Sequence, residues 1–395
     1  GRGIVNPNLR VSITLNGSSA KILILGHEKN IYIDQMENGQ YRISHDEFGL
    51  SNEIIENQIS GCGCGGAVLA PEITENNTRD FPYCVGDDEP CFEIGNNLVT
   101  FRYAGMMTSE ANNEAADGTL EGGLAWIAAM VNQINLVWIR ELSFRLEMIE
   151  DSDLLIYTDD RPTPINFTDH DMYEELPRIL SHIEIVIGPG GYATSQNNLM
   201  WEYAALFNTG YGGGLAYVPG STSANLPSYG IHIHEIGHNL GSSHNCSSEG
   251  GWSSSIGGTA MCNRGNTLPG SSGDQYSSHT IDIAIRYQNE PFGGSNYDYQ
   301  LGYSQEPTTN AVPEIYVHES GFYIPKDTPF VLDGSAIGEG NDNLTYSWEQ
   351  NDASDYGFSP PEFPPDTGPL FCSVDGKTDG NVRYFPYMES LLENY

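Results

Sequence analysis

Residues 234–244 read His-Glu-Ile-Gly-His-Asn-Leu-Gly-Ser-Ser-His. On a helix, His234 and His238 lie four residues apart on one face, so both imidazoles reach a single cation. Glu235 stands beside the first of them and brings a carboxylate to the same place without ligating. Gly241 can end the helix, because glycine takes left-handed backbone without steric cost. The turn then lets His244 return as a third ligand. Three histidines with a fourth position open is the donor set of a catalytic rather than a structural zinc. One catalytic Zn2+ is therefore expected on His234, His238 and His244, with Glu235 as the catalytic carboxylate. A bare HExxH recurs by chance, and the extension to Gly241 and His244 is what makes the signal specific. His232 precedes His234 by two residues and points off the ligand face, so it is read as a supporting or surface residue.

The pattern HExxHxxGxxH resembles the metzincin metallopeptidases. That resemblance implies a methionine turn beneath the metal. Met261, within Gly258-Thr259-Ala260-Met261-Cys262, stands at a suitable distance downstream. Other segments carry the likeness further. Residues 132–142, Asn-Gln-Ile-Asn-Leu-Val-Trp-Ile-Arg-Glu-Leu, and residues 154–159, Leu-Leu-Ile-Tyr-Thr-Asp, look like the reprolysin-like (adamalysin-related) peptidases. Residues 213–218, Gly-Gly-Leu-Ala-Tyr-Val, are similar to the edge strand that precedes the zinc helix there, and residues 273–279 resemble a segment that follows the methionine. The resemblance spans about residues 98–290. It implies zinc-dependent hydrolysis of peptide bonds, with Glu235 as general base and a protein or peptide substrate extended along the edge strand. There are departures. Asn245 stands where reprolysins usually have Asp, the methionine segment is Thr-Ala-Met-Cys, and residues 188–210 carry extra Gly and Asn.

Composition sets outer bounds. The chain has 395 residues, enough for two or three domains with a sizeable core. Its 53 acidic residues against 16 basic ones give a formal net charge of −37, which repels phosphates and argues against nucleic acid or an anionic membrane as partner. With 38% hydrophobic and 11% aromatic residues it is a folding sequence, not an acidic disordered one. No run of about eighteen apolar residues suggests membrane insertion. Seven cysteines (Cys62, Cys64, Cys84, Cys91, Cys246, Cys262 and Cys372) fit an oxidising compartment. Cys84 with Cys91, and Cys246 with Cys262, are close enough in sequence to pair, although sequence does not fix connectivity. Glycosylation sequons stand at Asn16, Asn76, Asn166, Asn245 and Asn343. An extracellular protein, secreted or at the cell surface, is expected.

The expected fold class is α+β: a zincin-type catalytic domain with a mixed sheet and helices, between an N-terminal β-rich region and a C-terminal β-sandwich. Residues 1–95 alternate as strands at 11–15, 21–25 and 31–33. They include Gly-Cys-Gly-Cys-Gly-Gly at 61–66, read as a loop that either carries an ordinary disulfide or places Cys62 or Cys64 on the metal as in a propeptide. Residues 96–292 form the catalytic domain. Strands are predicted at 99–103, 143–149, 154–157 and 183–187, helices at 119–141 and 172–182, an edge strand at 211–218, and the zinc helix from 229. Residues 293–312, rich in Gly, Ser, Asn and Pro, read as a linker. Residues 313–395 hold short strands at 315–317, 322–324, 330–332 and 344–348, and resemble an incomplete PKD-like, immunoglobulin-type module. Asp333, Glu339, Asn341 and Asp342 offer oxygen ligands for Ca2+, against the simpler reading of a solvated acidic loop. Two rival functions stay open: a latent zymogen of the same peptidase, and an extracellular binding protein with a vestigial peptidase domain.

Overall fold

The computed structural model describes residues 10–16, 19–25, 30–35, 41–46, 68–69, 95–164, 172–191, 199–210, 212–244, 259–261, 274–289, 303–308, 313–316, 323–325, 328–338, 344–349 and 373–385. All seven cysteines lie outside these residues, and so do Glu339, Asn341 and Asp342. Alternating Val, Ile and Leu near the N-terminus form strands β1 (Arg10–Asn16), β2 (Ser19–Leu25), β3 (Asn30–Gln35) and β4 (Tyr41–Asp46). They pair antiparallel in sequence order, with Val11 opposite Ile24 and Ile22 opposite Ile33.

The catalytic region is a mixed sheet with helices on both faces. It follows β5 (Val68–Leu69) and comprises β6 (Asn97–Met107), helices α1 (Ser109–Ala115) and α2 (Leu120–Glu141), β7 (Phe144–Met148), α3 (Met172–Val186), β8 (Tyr203–Phe207), β9 (Gly214–Val218), β10 (Thr222–Asn225), α4 (Tyr229–Asn239), α5 (Ser278–Asn289) and β11 (Ser304–Pro307). The strands run in the order β11-β6-β8-β10-β9-β5, with β7 on the other side of β6. The parallel strands β6 and β8 are buried on both faces, as central strands are. Period-two alternation splits their side chains between two cores. Phe101, Tyr103, Met107, Tyr203 and Phe207 meet α2, α4 and Met261 on one face, while Ala104, Met106, Ala204 and Leu206 meet α3 on the other.

Local chemistry explains the helices. Thr119 caps α2 by accepting from the Gly122 N–H at 2.9 Å. Glu121 in its first turn and Arg140 in its last suit the helix dipole. Its buried stripe, Ile127, Val131, Ile134 and Trp138, recurs at three- and four-residue steps and faces the sheet. By length and apolar content α2 also meets the requirement for crossing a membrane. Here Ile127, Ile134, Val137 and Trp138 are fully buried, as in the central helix of a folded domain.

Several elements differ from the sequence reading. Of residues 154–157, expected as a strand, Leu154 and Leu155 belong to a 3-10 turn at Ser152–Leu155, in which the Leu154 N–H donates to Asp151 O at 3.1 Å. Only Ile156 keeps a strand-like bridge, to Met107. Residues 183–187, expected as a strand, mostly continue α3, because Leu176, Ile179 and Ile183 share one helical face in the second core. Within the expected linker at 293–312, Ser304–Pro307 pairs antiparallel with Asn97–Thr100 as an edge strand, a position that tolerates its polar sequence.

Toward the C-terminus, β12 (Glu314–Tyr316) pairs with β14 (Ser335–Ile337), and β13 (Phe330–Asp333) pairs with β15 (Val382–Phe385). Among the described residues these are two separate pairs and do not close a β-sandwich. Residues 323–325 are not in a strand, and residues 344–348 contribute one bridge, Tyr346 to Lys377. This C-terminal part touches the catalytic region where Glu349 Oε2 accepts from the Ser278 N–H, at the start of α5.

Buried histidines make stability depend on pH. Burial pushes His232 down from 6.5 to about 3. Burial also pushes His279 down to about 4, against the opposing pull of Asp282. Below pH 6.5 the unfolded chain takes up protons that the folded chain refuses, so folding stability falls as pH drops from there toward 4. Urea midpoints of chelator-treated protein between pH 7.5 and 4.5 should fall accordingly. The His279→Gln variant should show a slope about one proton shallower.

Candidate metal centre

The zinc helix α4 carries His234 and His238 one turn apart, and both are buried. The helix ends at Gly241, whose φ of 94° is left-handed. The Gly241 N–H donates to His238 O at 2.8 Å and the Ser242 N–H to Gly237 O at 3.2 Å. These two bonds are a Schellman motif, and they turn the chain so that His244 returns toward the helix. His244 Nε2 then lies 3.0 Å from His234 Nε2 and 3.1 Å from His238 Nε2. Among the described residues, these three side chains form a group able to hold a metal ion.

Hydrogen bonding fixes which nitrogens face inward. His234 Nδ1 lies 2.7 Å from Ala260 O, and His238 Nδ1 lies 2.7 Å from Ser242 O. A carbonyl oxygen only accepts, so each Nδ1 carries the proton. Burial, reinforced by His244, holds His238 down at about 3, so its ring is neutral near neutral pH. Its Nε2, and that of a neutral His234, is then a bare lone pair. Lone pairs this close repel unless a cation sits among them. For zinc–nitrogen bonds of about 2.0–2.1 Å, tetrahedral ligands stand about 3.3 Å apart, near the spacing found here. The residues present therefore fit zinc.

Met261 lies in the floor of the site and is fully buried. A Cβ placed on Gly237 would run into Met261 Sδ, so this glycine lets the zinc helix settle onto the methionine. The turn is held from behind. The Ala260 N–H donates to Gln275 O at 2.7 Å. The Tyr276 hydroxyl donates to Ile233 O at 2.9 Å and accepts from Trp138 Nε1 at 3.2 Å. The Tyr276 N–H donates to the Glu141 carboxylate at 2.7 Å. Helix α2, the segment after the methionine and the zinc helix are thus bolted together.

Glu235 is 2% exposed and follows the first ligand on α4, with its carboxyl packed against Gly214 of β9. His232 is buried on another face of the helix, 2.9 Å from the Tyr103 hydroxyl and edge-on to Phe207, so its role is in the core. Sequence reasoning did not single out Asn239. Its side-chain N–H groups donate to Tyr217 O at 3.0 Å and Thr222 O at 3.2 Å, tying the end of the zinc helix to β9 and β10. Nor did it single out the carbonyls of Ala260 and Ser242, which any residue type would supply. The only available signal was the small residues around them. Asp333, one of the suggested Ca2+ ligands, sits in β13, and its suggested companions lie outside the described residues.

Residues 105–281 match the family model described as Metallo-peptidase family M12B Reprolysin-like. This stretch is a reprolysin-like zincin metallopeptidase domain. No curated protein matches the chain. The domain match and the histidine triad together make the protein a zinc-dependent metalloendopeptidase acting on protein or peptide substrates.

Adding one equivalent of Zn2+ to chelator-stripped protein should raise the thermal midpoint, since a ligand held only by the folded state stabilises it by mass action. The His238→Ala variant should show no such shift at equal metal concentration, as measured by differential scanning fluorimetry.

Proposed function

We propose that this chain is a secreted zinc endopeptidase that takes an extended protein substrate along β9, with Glu235 as general base. The observation that carries this reading is the convergence of three imidazole nitrogens beside a buried glutamate. Zinc bound by His234, His238 and His244 supplies a Lewis acid and brings the pKa of a water toward about 7. Glu235 accepts a proton from the attacking water and later returns one to the leaving amine, so its carboxylate must be ionised at the start and protonated midway. Buried surroundings strengthen both transfers by excluding competing solvent. Strand β9 offers main-chain groups to an extended peptide by strand addition. The cysteine count, the sequons and the acidic surface charge support secretion. An appended PKD-like module rests on the sequence likeness alone.

The pairing of Val68 with Tyr217 and Leu69 with Val218 favours a second reading, that the uncut chain is latent. Strand β10 takes one edge of β9 and β5 takes the other. A substrate strand would need the edge that β5 covers. The pairing is parallel, so β5 lies along β9 without forming an antiparallel ladder.

Hydrolysis of casein with and without a zinc chelator, before and after limited proteolysis, tests both readings. Chelator-sensitive activity that rises on cutting between residues 70 and 95 is the expected result. Full activity in the uncut chain would remove the latent reading. Zinc bound at one equivalent without hydrolysis in either state would remove the peptidase reading. The Glu235→Ala variant should retain zinc and lose roughly 100- to 10,000-fold in kcat.

A further inference from the structure

We propose that Gly214 is the residue that positions the Glu235 carboxylate, a role that rests on the reading of Glu235 as the acid–base. Gly214 opens β9, pairs with Asn225 of β10, and is buried. Its backbone does not call for glycine: it is absent from the positive-φ positions, where Gly210 and Gly241 are found. Glycine in a strand is otherwise unfavourable, since it has no side chain to pack and loses the most conformational freedom on folding. It therefore marks a close approach, and the approaching group is the carboxyl arm of Glu235. A Cβ at position 214 would fall 2.5 Å from Glu235 Cγ, 2.5 Å from its Oε1 and 2.7 Å from its Cδ. No atom of another residue is among these three nearest contacts.

Gly212, two residues earlier, is different. A Cβ at Gly212 meets nothing within 4 Å, so the glycine-rich run is not uniformly crowded. The missing side chain at 214 is a slot shaped by the edge strand and filled by the glutamate of the facing helix. The slot acts on Glu235 by exclusion. With glycine, the backbone of β9 comes close to the carboxyl arm and limits where it can turn. With any larger residue the arm must give way, and the carboxylate moves with it. A misplacement of about 1 Å in a reacting group can lower the rate about 100-fold. Gly214 thus acts through Glu235 and touches neither metal nor ligands in this role.

A double-mutant cycle tests the proposal without relying on hydrolysis. Gly214→Ala is made in the natural chain and in a Glu235→Ala background, and urea midpoints are measured on zinc-free protein. The expected result is a lowered midpoint in the natural background and at least half of that loss recovered in the Glu235→Ala background, where the new methyl enters vacated space. An equal loss in both backgrounds, or no loss in either, would overturn the proposal, because the glycine would then serve the strand and not the glutamate. If Gly214→Ala alone fails to fold, a folded double variant supports the proposal and an unfolded one overturns it.

Kinetics supply the second readout on protein activated by limited proteolysis. Gly214→Ala should lose about 100-fold in kcat with KM within about twofold and zinc still at one equivalent, while Gly212→Ala keeps its rate. An unchanged kcat in Gly214→Ala would overturn the proposal. A natural chain that hydrolyses nothing after cutting would instead sink the peptidase reading, and the stability cycle would still decide whether Gly214 and Glu235 are coupled.

Discussion

Two backbone carbonyls, Ala260 O and Ser242 O, hold the protons of His234 and His238 on their outward nitrogens, and the metal centre depends on that choice. An imidazole turned the other way would present an N–H to the cation and bind nothing. The two carbonyls come from different places. Ser242 is delivered by the Schellman turn that Gly241 permits. Ala260 is delivered by the methionine turn, itself fastened to Gln275. The site is thus assembled from two turns that lie far apart in the sequence.

The support behind this arrangement is a sheet packed from both sides. Tyr203 and Phe207 serve one core and Ala204 and Leu206 the other, so β8 cannot slip by one residue without placing every side chain on the wrong face. The zinc helix lies over β9 and β10, and Asn239 fastens it there through two carbonyls. The hydroxyl of Tyr276 ties the same helix to α2 through Trp138. Shifts of the helix along the sheet would break both ties, and this rigidity lets a small constraint such as a missing Cβ govern where a carboxylate points.

What could be read from the sequence was local. His234, His238, Gly241 and His244 fall within eleven residues, and helical spacing plus a left-handed glycine is enough to bring them together. The long stripe of α2 was legible for the same reason. Strand β8 was not, since Tyr203–Phe207 is buried on both faces and shows no alternation. Strand β10, Thr-Ser-Ala-Asn, is polar and is held by hydrogen bonds such as Asn225 to Ser223, with no apolar pattern to announce it. Residues 183–186 read as a strand because Ile-Glu-Ile-Val alternates, yet a helical face shared with Leu176 and Ile179 decided their state. The contact between Gly214 and Glu235 joins residues twenty-one positions apart on different elements, and only the packed fold brings them together.

The short pairing of β5 with β9 has a consequence in terms of concentration. Two paired residues bind weakly on their own, and a free peptide of that length would not hold the edge. Joined to the same chain, the segment competes as an intramolecular ligand, at an effective concentration that a separate peptide would not have. If the uncut chain is latent as proposed, a dilute substrate loses that contest while the chain is whole. One cut between β5 and β6 turns the same contact into an ordinary bimolecular one, and dilution alone clears the edge. On that footing the sensitivity of the switch is set less by how tightly the strand binds than by whether one peptide bond in the tether is intact.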